Sequence, residues 1–164
     1  VLMVLRVTSI VRAAEVAAKP WEIVVLDAGE RHLRRKRLTL QHGDEVMVDL
    51  PHTVKLADGD CLALEDGRLV EVIAADEDLM QVRARDAAHL VQLAWHIGNR
   101  HLEAQIEETR ILIRPDHVIR AMLEQLGASV SDVVEPFSPE HGAYSHSHAP
   151  GHAPAPPGGF SLDA

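Results

Sequence analysis

The sequence predicts an α+β protein with a small all-β N-terminal domain, a C-terminal domain of mixed strands and helices, and a disordered tail. Residues 1–75 carry short alternating runs of apolar and polar residues between turn residues, which is the pattern of β-strands. Residues 76–137 add two amphipathic helices, and residues 138–164 are rich in Pro, Gly and His and contain neither Lys nor Arg. Such a tail buries too little apolar area to offset its ordering entropy, so we expect three segments with these bounds.

The strand pattern of the first segment is clearest around two turns. Apolar and polar residues alternate over 37–40 and 45–50, on either side of His42-Gly43-Asp44. Asp66-Gly67 separates the apolar runs 61–64 and 69–73, which is a strong β-hairpin signal. Several short strands at this spacing indicate a small sandwich or barrel-like domain.

The second segment alternates strands and helices. Asp86 suits the N-cap of a helix that ends near Ile97, with Gly98 as its C-cap. Asp116 suits the start of a second helix, which Gly127 ends. Strands are predicted at 79–84, 103–107, 110–114 and 129–134. The order β-α-β-β-α-β is that of the ferredoxin-like fold.

Composition and charge restrict the function. Aromatic residues make up 3% of the 164 residues, so the cores must be aliphatic and a site built on aromatic stacking is not expected. The formal net charge of −9 opposes nucleic acid as the main partner, because phosphate binding needs a cationic surface. The lone Cys61 excludes an internal disulfide and a cysteine-based zinc site within one chain, and we expect it to be a small buried side chain.

The start of the chain gives no sign of export or membrane insertion. Residues 1–7 are apolar except for Arg6, and this run falls far short of a signal sequence or a membrane span. We therefore expect a cytoplasmic protein with no membrane partner.

A cluster of cations lies within residues 31–37, and it consists of Arg31, Arg34, Arg35, Lys36 and Arg37. It has two interpretations. It forms a docking patch for an acidic protein partner, or it belongs to a solvated edge strand that its charges protect against sheet-to-sheet aggregation.

The run His96-Ile97-Gly98-Asn99-Arg100-His101 places two imidazoles at the end of the first predicted helix. Imidazole binds nickel, zinc and copper, and a histidine at a helix end can reach an ion in solvent. His101 is therefore a candidate metal ligand, and His96 is a second one. In the structural alternative, His96 complements the helix dipole and His101 starts the next strand.

Four more histidines lie in the tail, namely His141, His146, His148 and His152. Small residues separate them, so a flexible backbone could wrap several imidazoles around one ion; the alternative is an incidental polar tail. A two-fold axis near His101 would supply two ligands at once, and tail histidines could complete an exposed site that releases its ion. His117, beside Asp116, is a further candidate or a helix-cap residue. We expect ordinary surface or strand positions for His32, His42, His52 and His89.

Several motifs occur together along the chain. They are His96-Ile97-Gly98-Asn99-Arg100-His101, Asp116-His117-Val118-Ile119, Met122-Leu123, Leu126-Gly127, Pro136-Phe137 and Gly142-Ala143-Tyr144, with Arg37-Leu38, Gly43, Leu50-Pro51 and Asp58-Gly59-Asp60 upstream. In this combination the sequence resembles the UreE urease accessory proteins over its whole length.

The resemblance implies a homodimeric nickel metallochaperone and not an enzyme. It implies an N-terminal domain similar to the peptide-binding domain of Hsp40 chaperones, a ferredoxin-like metal-binding domain, and delivery of nickel to the urease apoprotein through the accessory GTPase UreG. The His that matches His101 is the interfacial ligand of each subunit in that family, and tail histidines such as His146, His148 and His152 add to the site or form further ones. Some members carry a second His two places before the one matching His117. This chain has Pro115 there, which weighs against a strong peripheral site.

The implied cargo is Ni²⁺, and Zn²⁺, Cu²⁺ or Co²⁺ are alternatives because imidazole binds them all. The residue types also allow two other functions. One is a hydrolase in which His96, His101 and His117 hold zinc and Glu103 acts as the base. The other is a metal-independent peptide-binding chaperone module that recognises its client by strand addition.

Overall fold

The structure is a computed structural model that describes residues 4–140. His141, His146, His148 and His152, and most of the tail predicted for 138–164, lie outside the described residues. Within residues 4–140 no helix is long and apolar enough to span a membrane.

The N-terminal half forms one six-stranded sheet that curves into a half-barrel. Its strands are β1 (Leu5–Val11), β2 (Glu22–Leu26), β3 (His32–Thr39), β4 (Glu45–Lys55), β5 (Cys61–Leu64) and β6 (Leu69–Ala74), and their order in the sheet is β2-β6-β5-β1-β4-β3. The two predicted hairpins are confirmed, since β3 pairs with β4 and β5 with β6, both antiparallel. The structure has a single sheet here and not a sandwich.

The core of this half is aliphatic, as the composition predicted. Val46 and Val48 are fully buried and alternate with residues that face outward. Burial of each such side chain contributes about 1.5–3 kcal/mol. Cys61 is fully buried and free, and burial raises the pKa of its thiol, which confirms the prediction of a small buried side chain.

The cationic run is divided between two environments. β3 is the outermost strand of the sheet, where Arg35 pairs with Asp49 and Arg37 with Glu45 on the neighbouring β4. This placement agrees with the edge-strand interpretation. Arg31 is the exception, because it is fully buried just before β3 begins.

The C-terminal half has the ferredoxin-like fold. Its elements are β7 (Asp76–Arg83), α1 (Ala87–Asn99), β8 (Ala104–Ile106), β9 (Arg110–Ile113), α2 (His117–Gln125) and β10 (Ser129–Pro136). The sheet order is β10-β7-β9-β8 and every pairing is antiparallel. The predicted fold class is thereby confirmed. The exact domain bounds at residues 75 and 137 stay a prediction.

Both helices pack on one face of this sheet because their apolar residues recur at helical spacing. Leu93 and Ile97 of α1 and Leu123 of α2 are buried against Val82 and Ile111 of the strands. The opposite face carries a small separate cluster made of Ala28, Leu79, Leu112 and Phe137. Ala28 belongs to the N-terminal half, so this cluster joins the two halves.

The helix ends show which local signals were sufficient. The carboxylate of Asp86 accepts from the backbone N–H of His89, and that of Asp116 from Val118 and Ile119, which confirms both N-caps. Gly127 has φ +86° and ends α2 as predicted. Gly98 does not cap α1, since the helix continues through Asn99.

His89 was predicted to be an ordinary surface or strand residue, and this prediction is wrong. It lies in the first turn of α1 and is 3% exposed. Its Nδ1 accepts from the backbone N–H of Arg85 at 3.2 Å, and its Nε2 donates to the carbonyl of Leu126 at 2.8 Å. A neutral imidazole with its proton on Nε2 satisfies both bonds, so the ring links the two helices.

Candidate metal site at the end of helix α1

His101 occupies the position that ends helix α1. Its φ is +57°, and it is the one non-glycine residue with a left-handed backbone in the described part of the chain. Its N–H donates to the carbonyl of Gly98, and the N–H of Leu102 donates to that of Ile97. This pair of bonds is a Schellman motif, whose left-handed position is usually a glycine.

A histidine at this position is locally unfavourable. The left-handed conformation costs an L-residue roughly 1–2 kcal/mol, and it stays uncommon for histidine although histidine is several-fold enriched there. A glycine would satisfy the same motif without that cost. Backbone strain of this kind is concentrated at functional sites, so the imidazole is the feature that requires an explanation.

The surroundings of His101 leave its imidazole available. The residue is exposed, and its side chain has no hydrogen-bond partner within residues 4–140. A cavity of about 290 Å³ opens beside it, lined in part by Glu103, Arg114 and Asp116. Glu103 pairs with Arg114 at 3.3 Å, and Asp116 caps α2. Both neighbouring carboxylates therefore already have partners.

His101 and His117 differ in how the nearby helix terminus affects a bound cation. His101 follows the C-terminus of α1, where the partial negative charge of the helix favours a cation by about 0.3–1 kcal/mol. His117 is the first residue of α2, and the partial positive charge at the N-terminus of a helix disfavours a cation there. The carboxylate of Asp116 offsets this locally, and its hydrogen bonds from the N–H groups of Ile119 and Val118 hold its pKa below the usual range.

His96 is half-buried in the last turn of α1, where its ring lies nearly perpendicular to that of Trp95 with the centroids 5.1 Å apart. This agrees with the structural alternative for His96. For His101 the structural alternative is wrong, because the next strand starts only at Ala104.

The described residues do not bring these histidines together. Within residues 4–140 there is no group of three or more His, Cys, Asp or Glu side chains placed to hold an ion. The hydrolase hypothesis needed His96, His101 and His117 around one zinc, so it is wrong. What one chain offers at this position is a single exposed imidazole.

A feature that the sequence analysis missed lies on the outer face of α1. Val91 and Trp95 are 69% and 63% exposed and stand one turn apart, and Gly98 continues the same stripe toward His101. A Cβ added to Gly98 would meet no atom within 4 Å, so nothing in the described chain requires a glycine there. The signal in the sequence was the i, i+4 spacing of two large apolar residues opposite the core face.

Comparison with known proteins places the chain in a class of non-catalytic chaperones. The C-terminal domain model of the UreE urease accessory proteins matches residues 77–158, and the N-terminal domain model matches residues 7–75. The chain belongs to the UreE urease accessory protein family. Proteins of this family take part in urease maturation, and membership of the family implies nickel binding.

Curated relatives agree with this family over most of the chain. The Urease accessory protein UreE of Rhizobium leguminosarum bv. trifolii is 55% identical over 152 residues, covering 90% of this chain and 79% of the relative. That of Mesorhizobium japonicum is 57% identical over 144 residues, covering 87% and 74%. That of Agrobacterium fabrum is 57% identical over 149 residues, covering 91% of both chains.

Proposed function

We propose that this protein is a homodimeric nickel carrier in which His101 of each subunit binds one shared ion. Tail histidines, chiefly His146, His148 and His152, complete the coordination shell or hold further ions. His96 and His117 are secondary candidates. The cargo is passed to the urease apoprotein through the accessory GTPase UreG, and the setting is cytoplasmic. Zn²⁺, Cu²⁺ or Co²⁺ compete for the same imidazoles.

The observation that carries this proposal is the strained, exposed conformation of His101. It presents one imidazole at the favourable end of a helix, while the nearby carboxylates of Glu103 and Asp116 are engaged elsewhere. One imidazole is too few for a stable site. A second subunit related by a two-fold axis doubles it, and such a site still has few enough ligands to release its ion.

The outer face of α1 supports a two-fold axis near His101. Val91 and Trp95 form an apolar surface that ends beside the site. Gly98 costs the helix up to about 1 kcal/mol relative to alanine, with no compensation inside the described chain. Close approach of a partner's backbone would explain the glycine.

Equilibrium dialysis against Ni²⁺ tests the proposal. We expect one ion per dimer that depends on His101, and further ions that disappear when the chain ends after Tyr144. His101→Ala should lose the first ion, and His52→Ala, which removes an exposed histidine of β4, should keep it. If His101→Ala binds the first ion with unchanged affinity, the shared-ligand assignment is wrong.

Acid should release the ion. A ligating imidazole must be neutral, so protons compete with the ion and the nickel affinity should fall as the solution is acidified. Binding that is unchanged at pH 5 would indicate carboxylate ligands such as Glu140 instead.

The alternative function, metal-independent peptide binding, is supported by the outermost position of β3, whose free edge could pair with an added strand. The charged side chains of Arg35 and Arg37 on this outermost strand weigh against it, since charges on an edge strand oppose the addition of another strand. A stable complex with an extended client in the presence of a chelator would favour this alternative.

A further inference from the structure

The four residues after β10 cross the C-terminal sheet from one edge to the other. β10 and β8 are its two outer strands. Phe137 follows β10 and packs with Leu79 of β7 and Leu112 of β9, on the face away from the helices. The N–H of Glu140 then donates to the carbonyl of Ala104 in β8 at 2.8 Å. Three strand spacings make roughly 14 Å, which is the distance that four extended residues span.

We call residues 137–140 the exit segment, and side chains from both halves of the protein hold it. Arg31 donates from Nη2 to the carbonyl of Phe137, and Lys55 from Nζ to that of Pro139 at 2.6 Å. Gln105 accepts from the N–H of Ser138 at 2.7 Å. The side chains of Phe137 and Pro139 are buried, so the segment is fixed by packing as well as by hydrogen bonds.

Arg31 and Lys55, the two cations that hold the exit segment, lower the stability of the folded protein relative to apolar side chains packed at the same places. Arg31 is fully buried, and its Nε and Nη1 have no hydrogen-bond partner among residues 4–140. Burial and repulsion from Arg31 lower the pKa of Lys55, against the attraction of Glu140 and Glu103. A buried cation with incomplete hydrogen bonding is often less stable than an apolar side chain of the same volume. Its presence therefore points to a role in specifying one path for the chain.

We propose that Arg31 and Lys55 are positioning residues that hold the exit segment across the sheet, so that the chain beyond residue 140 starts on the His101 side. β8 begins three residues after His101, and the hydrogen bond from Glu140 to Ala104 therefore places Glu140 within roughly 17 Å of the His101 Cα. Without the exit segment the tail would start at Pro136, on the opposite edge. The inference rests on the proposed function for the use of this placement, because the proposed function takes tail histidines as ligands of the shared ion.

The placement itself can be measured without metal. A nitroxide attached to Ser145→Cys should broaden the backbone amide signals of residues 101–104 more than those of residues 76–78, which lie beside Pro136 in the sheet. The native Cys61 is fully buried and should not react with the label. In Arg31→Met and in Lys55→Met the broadening should shift toward residues 76–78.

The matched control for both variants is Arg34→Met. Arg34 is an exposed cation of β3 that donates to the carbonyl of Leu50 at 3.3 Å, and among residues 4–140 it makes no hydrogen bond or ion pair to the exit segment. It should leave the broadening unchanged. Lys55→Met keeps the test decisive if Arg31→Met does not fold. Unchanged broadening in folded Arg31→Met or folded Lys55→Met would overturn the positioning role.

Nickel affinity supplies the second measurement. Releasing the exit segment lengthens the tether to His146 from six residues to ten, and effective concentration falls as about the −3/2 power of tether length, so Arg31→Met should weaken binding at least about twofold. In a chain that ends at Glu140 the same substitution should have no effect. Equal weakening in both chains would show a merely structural role and overturn the inference. If removing the tail leaves nickel affinity unchanged while the broadening still shifts, the tail-ligand part of the proposed function is wrong and the positioning role stands.

Discussion

Replacing His101 by glycine should stabilise the protein while it abolishes the first nickel site. The left-handed backbone at φ +57° costs a side-chain-bearing residue roughly 1–2 kcal/mol, and glycine removes that cost. Glycine also adds about 0.4–1 kcal/mol of chain entropy to the unfolded state. The net gain should be about 0–1.6 kcal/mol, and each 1 kcal/mol raises the melting temperature by about 2–4 °C for a chain of this size.

The assay is thermal and urea unfolding of wild type, His101→Gly and His101→Ala at equal protein concentration with a chelator present. His101→Ala is the matched control, because it removes the imidazole but keeps a Cβ in the left-handed position. The alanine variant should be less stable than the glycine variant by about 1 kcal/mol. If the glycine variant is no more stable than the alanine variant, the strain at this position is not real; if either variant keeps the first ion, His101 is not its ligand.

Three further predictions follow from individual contacts. Gly98→Ala should stabilise α1 by about 0.5–1 kcal/mol yet weaken the dimer in sedimentation equilibrium; unchanged association would place the interface elsewhere. His89→Ala leaves two backbone groups unpaired and should cost about 2–4 kcal/mol in urea unfolding; a loss under 1 kcal/mol would contradict the two hydrogen bonds. Hydrogen bonds from Arg110 lower the pKa of Glu135, so its stabilisation is present above the unfolded value of about 4.3 and is lost as the pH falls through the folded value. The stability difference between wild type and Glu135→Gln should therefore shrink between pH 7 and pH 3, and a constant difference would refute that coupling.

Much of the fold could be predicted because its signals are local. Helix α2 begins after Asp116 and ends before Gly127 as expected, since an N-cap carboxylate and a left-handed glycine each act on their own helix end. Asp66-Gly67 likewise fixed the β5–β6 hairpin. The parallel pairings of β1 with β4 and of β2 with β6 join strands that are distant in sequence, and no local pattern encodes such partners.

The errors have a common physical origin. Gly98 carried the usual C-cap signal, but the left-handed conformation falls three residues later at His101, which no propensity favours over a glycine. Because histidine and arginine are polar, His89 and Arg31 were expected to be exposed. Hydrogen bonds to carbonyls that are distant in sequence allow both side chains to be buried. Local rules fail where tertiary contacts or a functional side chain override them.

The candidate site was predictable only in part. His101 was identified from its place at a helix end and from the motif around it, and the structure adds its backbone strain and its exposure. The apolar stripe of Val91 and Trp95 was not predicted, because the amphipathic pattern of α1 defines its core face and gives no reason for large apolar residues on the opposite face. The coordination roles of His146, His148 and His152 stay predictions, since these residues lie outside the described range.

The most direct test of the account is the position of nickel in a crystal of the full chain, located by anomalous scattering relative to the dimer axis. The account predicts one strong peak on the two-fold axis, bonded to His101 of both subunits. A nickel-bound monomer, or a dimer whose two copies of His101 lie far from the ion and from each other, would contradict it.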